Sequence, residues 1–262
     1  MFGAYQAGVW DAISPFFQPD LVVGASVGSL NGWRIAGGAN GADLVDQWSH
    51  LASVANIRWR FPRRPTEGIL DTSALEHTIR DMCANQPPRV EFGVVLTRIP
   101  HMRPVLFRSP DVTWRHIAAS CSVPLFLTQH RIDGNFYSDG GLVDPLPLQA
   151  AIAMGARRIV CVNLLKHRPW PVRASVKALR ALAGYAPPDR NSLNIIEISP
   201  SQSLGSANDS MRWSQSSTAR WIEAGRRDSE TALPDLVKWR DRDWQSTPGE
   251  NGTACPSTES IV

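Results

Sequence analysis

Leu21-Val22-Val23-Gly24-Ala25-Ser26-Val27-Gly28 puts a short apolar strand directly before a Gly-x-Ser-x-Gly turn, and a helix follows through Leu30, Trp33 and Ile35 to a Gly37-Gly38 stop. A serine at such a strand-to-helix turn is held in strained backbone with its hydroxyl projecting, and small residues on either side avoid clashes. The helix that follows aims its N-terminal amides and positive dipole end at the same spot, where a developing oxyanion is stabilised. Ser26 is therefore a candidate nucleophile, with Val27 as the first amide donor and Gly24 and Gly28 as the motif glycines. The same pattern also describes a glycine-rich turn that does no chemistry.

Working outward, strand-like and helix-like segments alternate. Gly3 to Ile13 carries apolar residues at helical spacing up to Ser14-Pro15. Asp71 to Met82 predicts a helix with Ser73 and Glu76 as a capping box. Val90 to Leu96 and Val105 to Phe107 read as strands, and Trp114 to Cys121 as a helix ended before Pro124. Arg131 to Ser138 has a hairpin signal at Asp133-Gly134. Helix Leu146 to Met154, strands Arg158 to Leu164 and Asn194 to Ile198, and a helical stretch from Trp221 to Arg240 interrupted near Pro234 complete the pattern. This alternation predicts an α/β fold, a three-layer α/β/α sandwich with a largely parallel central sheet. One domain is expected over residues 1–240. From residue 241 to residue 262 the composition turns to Ser, Thr, Pro, Gly and Glu, which predicts a disordered tail.

Composition removes several classes. Of 262 residues, 43% are hydrophobic and 19% charged, an ordinary globular balance. No run of apolar residues is long enough for a membrane-spanning helix, and no basic stretch precedes an apolar run at the start as in a signal peptide. A cytoplasmic or peripheral membrane location is expected. Cys83, Cys121, Cys161 and Cys255 are too scattered for a metal module or a disulfide framework. A net charge of +3 gives no case for nucleic acid. Arg58-Trp59-Arg60-Phe61-Pro62-Arg63-Arg64 interleaves arginines with aromatics and reads either as a lipid-docking stretch or as a solvated loop.

A partner for Ser26 is the next question. The order Ser26, Asp139 or Asp144, then His167 permits a Ser-Asp-His esterase of the α/β-hydrolase kind. That fold places several strands before its elbow, whereas here only residues 1–23 precede Gly24. His50, His77, His101, His116, His130 and His167 carry no motif and read as surface or capping residues. A second signal is Asp139-Gly140-Gly141, where a carboxylate is followed by two glycines with little steric cover; alone, it is an ordinary turn.

Taken together, Gly24-Ala25-Ser26-Val27-Gly28 and Asp139-Gly140-Gly141 resemble the patatin-like phospholipase family. Gly3-Ala4-Tyr5-Gln6-Ala7-Gly8-Val9 resembles the helix after that family's glycine-rich loop. Ala118 to Pro124 and Leu142 to Pro147 resemble the segments framing the acidic motif. The resemblance spans about residues 1–235. It implies a serine acyl hydrolase acting on phospholipids or other acyl esters through an acyl-enzyme, with Ser26 as nucleophile, Asp139 as general base, and no metal or organic cofactor. Gly3, Gly140 and Gly141 fall on motif glycines.

Two departures accompany it. Only Gly3 of a Gly-Gly-Gly-x-x-Gly oxyanion loop is present, and the first strand is missing, which predicts an unpaired edge on the neighbouring strand and a second reading as a weakly active or lipid-binding pseudoenzyme. The family also often has Asn where Asp144 stands, and no catalytic role is carried to Asp144.

Overall fold

The computed structural model of the chain describes residues 2–54, 61–62, 64, 66–71, 73–164, 166–167, 170–190, 193–205, 214–245 and 258–262. Helix α1 (Gly3–Ile13) leads into β1 (Leu21–Ala25), then α2 (Val27–Ala36), α3 (Gly41–Val54) and α4 (Ser73–Asn85). Next come β2 (Glu91–Ile99), β3 (Arg103–Arg108), α5 (Trp114–Ser120), β4 (His130–Ile132) and β5 (Asn135–Asp139). The chain continues through α6 (Leu148–Ala153), β6 (Arg158–Val162), α7 (Trp170–Ala183) and β7 (Asn194–Ile198) to α8 (Gln215–Ser229), α9 (Leu233–Gln245) and β8 (Glu259–Ile261).

The eight strands among the described residues form one sheet in the order β4-β5-β2-β1-β8-β6-β7, with β3 added to β2. Strands β2, β1, β8, β6 and β7 are mutually parallel, whereas β3, β4 and β5 join by antiparallel pairing. All five residues of β1 are buried, the continuous apolar run expected of a parallel strand covered on both faces. Side-chain alternation then divides the core. Val22, Phe92, Val94, Leu96, Val160 and Ile261 pack against α1, α2, α3, α5, α8 and α9. Leu21, Val23, Ala25, Val95 and Ile159 face the other way, onto Leu148, Ala151 and Met154 around α6. Helices on both faces make the three layers that the alternation predicted.

Among the described residues, the stretch expected to be a disordered tail is ordered at both of its ends. Helix α9 runs to Gln245, and residues 259–261 form a strand between β1 and β6. Glu259 is fixed there by Arg158 at 2.7 Å, while Asp20 and Glu259 exchange backbone and side-chain hydrogen bonds of 3.0 and 3.1 Å. Composition concealed this strand because three residues among Ser, Thr, Pro and Gly are too few to show a period. The unpaired edge also fails, since β8 covers it: Leu21 lies opposite Ser260 and Val22 opposite Ile261. Residues 246–257 lie outside the described residues, as do Arg58, Trp59, Arg60 and Arg63 of the arginine-aromatic stretch.

Ser73 is the first helical residue of α4 rather than its cap, and Asp71 Oδ1 accepts the Ser73 N–H at 3.0 Å. His116 does act as a capping residue, its Nδ1 accepting the Thr113 N–H at 3.0 Å. Among the described residues no helix is long and apolar enough to cross a membrane.

Candidate active site

The register of β2 brings the two motifs together. Strand β3 occupies one edge of β2 from Gly93 to Arg98, so β1 and β5 must share the other. Val95 faces Ala25, the last residue of β1, and the next residue, Leu96, faces Asp139, the last residue of β5. Because β1 runs parallel to β2 and β5 antiparallel, the two strands approach head-on and their carboxyl ends meet. Motifs that are 113 residues apart therefore touch: the Ser26 hydroxyl donates to Asp139 Oδ2 at 2.7 Å.

Ser26 has φ 54° and ψ −134°, a conformation that costs a non-glycine residue about 1–3 kcal/mol. Several groups hold it there. Its N–H donates to Ser120 Oγ at 2.9 Å, and that hydroxyl, fully buried, donates to the Val95 carbonyl at 3.0 Å. Its carbonyl accepts from Ser29 Oγ at 2.6 Å and from the Cys121 thiol at 3.3 Å. Burial, reinforced by the charge of Asp139, pushes the Cys121 thiol up to about 12, so it stays protonated and is no rival nucleophile. Gly24 is required by close approach, since a Cβ there would meet the Gly28 carbonyl oxygen at 2.4 Å.

Asp139 is 5% exposed. Its Oδ1 accepts the Gly141 N–H at 2.7 Å, its carbonyl accepts from Thr97 Oγ1 at 2.8 Å, and its N–H donates to the Ser122 carbonyl at 3.0 Å. Those bonds turn Oδ2 toward Ser26. A Cβ on Gly140 would lie 2.0 Å from the Val95 carbonyl oxygen, so this glycine lets the turn fold against β2. Gly141 uses its amide on Asp139, which makes it an orienter of the carboxylate. Val27 and Gly28 follow Ser26 directly and open α2, so their amides have no acceptor within the helix.

Gly3 opens α1 against this turn. A Cβ there would meet Val27 Cγ2 at 2.3 Å, and its carbonyl accepts Asn31 Nδ2 at 3.0 Å. Asn31 Oδ1 in turn accepts from Trp48 Nε1 at 2.8 Å, which joins α1, α2 and α3 behind the site. Sequence reasoning missed Ser120, Thr97 and Asn31. The run Ser120-Cys121-Ser122 just before Pro124 held a signal, as did a polar Asn31 on the buried stripe of α2. His167 is exposed, and the histidines engaged elsewhere include His116, His77 with Asp81 and His130 with Glu76. Among the described residues, Ser26 Oγ finds a carboxylate rather than an imidazole.

Asp144 lies one turn beyond. Tyr185 OH donates to its Oδ2 at 2.7 Å, and Arg180 Nε donates to the adjoining Val143 carbonyl at 2.8 Å, so the carboxyl end of α7 is tied to the acidic turn. Burial raises the Asp144 carboxyl to about 6 despite these partners.

An uncharacterized NTE family protein of Mycobacterium bovis is 25% identical over 159 residues, 58% of this chain and 42% of its own length. A counterpart in Mycobacterium tuberculosis matches equally. Lysophospholipase NTE1 of Mycosarcoma maydis is 29% identical over 151 residues, which cover 55% of this chain and 8% of that protein. The chain thus spans less than half the length of the curated relatives named here. VipD from Legionella pneumophila superposes with a TM-score of 0.46 at 10% identity, covering 90% of this chain and 65% of that one. The sequence model of the patatin-like phospholipases matches residues 1–152, more than half of the 262 residues, and the chain belongs to that family.

Proposed function

We propose that the chain is a serine acyl hydrolase of lipid carboxylic esters, in which Ser26 and Asp139 act as a dyad. The observation that carries the reading is the 2.7 Å bond from Ser26 Oγ to Asp139 Oδ2 at a strained turn opening a helix. In the first step Ser26 Oγ attacks the ester carbonyl carbon while its proton passes to Asp139 Oδ2. The carbonyl oxygen becomes an oxyanion facing the Val27 and Gly28 amides, donors that are fixed before the reaction begins. The C–O bond then breaks, and the leaving alcohol takes the proton from Asp139. In the second half Asp139 removes a proton from water, which attacks the acyl carbonyl; the bond to Ser26 Oγ then breaks, Asp139 returns that proton to Oγ, and the acid is released.

Ser26→Ala and Asp139→Asn should each lower kcat for a short-chain ester by at least about 10³, and the double variant should be no worse, because the two residues act as one unit. A fluorophosphonate should label the unaltered chain at Ser26. Full turnover in either single variant would sink the dyad. Absence of labelling in a folded chain would favour the lipid-binding pseudoenzyme instead. His167→Ala should leave turnover unchanged, since no imidazole enters the scheme.

A further inference from the structure

Helix α7, Trp170–Ala183, is amphipathic, yet none of its residues is buried. Val172, Val176, Leu179 and Ala183 form a half-buried stripe toward the body of the protein. A second apolar row, Trp170, Ala174, Ala178 and Leu182, recurs every four residues and faces solvent, with Trp170 at 78% and Leu182 at 79% exposure. Arg173 and Lys177 are exposed beside this row, and the helix holds three cations and no carboxylate. A large indole and a leucine left in water on a helix of one charge sign call for a surface that is apolar in depth and negative at its face.

We infer that α7 docks the protein on anionic lipid, with Trp170 and Leu182 entering the interface and Arg173 and Lys177 meeting phosphate headgroups. A protein groove would match the apolar row, but the missing carboxylates and the indole at one end fit a headgroup layer better. The position of the helix supports this occupant. It follows the carboxyl end of β6, the end of the parallel sheet that carries Ser26. Its own end is bound through Arg180 and Tyr185 to Val143 and Asp144, a few residues past Asp139. Leu125, 76% exposed, adds an apolar side chain three residues beyond Ser122, whose carbonyl accepts the Asp139 N–H. The inference rests on the hydrolase reading only in choosing lipid as the occupant.

The test is flotation of the full chain with vesicles of phosphatidylcholine alone, and with vesicles in which about one third is phosphatidylglycerol, alongside turnover of a soluble short-chain ester. The unaltered chain should float with the anionic vesicles and not with the neutral ones. Each basic residue at such a surface is worth about fivefold in affinity, so Arg173→Ser with Lys177→Ser should weaken binding by roughly 30-fold. Trp170→Ser with Leu182→Ser should abolish flotation. Both pairs should keep soluble-ester turnover, because the four side chains are exposed and none of them bonds to Ser26, Asp139 or the residues that hold them. Equal binding to both vesicle types, no binding to either, or variants that float like the unaltered chain would overturn the inference. Loss of the dyad reading would appear in the soluble assay and leave flotation unaffected.

Discussion

The Ser120 hydroxyl accepts from the Ser26 N–H and donates to the Val95 carbonyl, so a side chain that takes no part in the bond-making supports the strained turn. Ser120→Ala would leave two polar groups unpaired at a cost of about 1–3 kcal/mol. It should lower kcat with little change in KM, because the nucleophile shifts while the binding surface does not. Steady-state kinetics beside urea unfolding checks this. Asp144 makes a prediction in pH. Its folded carboxyl titrates near 6, above the ordinary carboxylate value, and its Oδ1 is buried without a hydrogen bond among the described residues. Between pH ~4 and ~6 the native state therefore holds a proton that the unfolded chain has lost, and stability falls as pH rises through that window, by at most about 3 kcal/mol. Asp144→Asn should flatten the fall and raise the urea midpoint near pH ~7.

At the scale of elements, the turn between β1 and α2 tolerates no side chain at Gly24, where a Cβ would press on the Gly28 carbonyl and on Ser29 Cα at 2.5 Å. Gly24→Ala should lose several kcal/mol or all soluble yield, whereas Gly28→Ala, with only Gln6 Nε2 at 3.5 Å, should fold. Melting temperatures of the two variants decide it. This turn was legible because three local signals coincide there: an apolar strand, small residues around a serine, and helical spacing after it. The pairing of Ser26 with Asp139 was not, since it depends on which edge of β2 each strand takes. Helix α3 could have been read from Asn40 and Asp43, which cap each other reciprocally at 2.8 and 3.0 Å, ahead of Leu44, Trp48 and Leu51. Helix α7 hid behind its prolines and a narrow inner stripe. Its outward row of apolar residues resembles core spacing and carries no mark of exposure.

For the whole molecule, β8 decides whether there is one sheet or two. Without it, β1 and β6 have no common neighbour, and β6 with β7 would separate from the strands bearing Ser26 and Asp139. Ile261 is 5% exposed and packs in the larger core, so Ile261→Ala should cost about 2–4 kcal/mol. Removing residues 258–262 should abolish a single cooperative unfolding transition, which calorimetry would show as two transitions or none.

The bond from Glu259 to Asp20 closes a loop of 239 residues at the centre of the sheet. Pairing of that range is entropically late, because the chain must collapse before its distant segments can meet. Strands β1, β2, β3 and β5 are comparatively local to one another, as are β6 and β7. Refolding should therefore pass through a state with two assembled half-sheets and exposed inner edges, and the last event is the insertion of three residues between them. Aggregation during refolding should then rise with protein concentration through edge-to-edge pairing of those halves, and a synthetic peptide of residues 258–262 added in excess should suppress it.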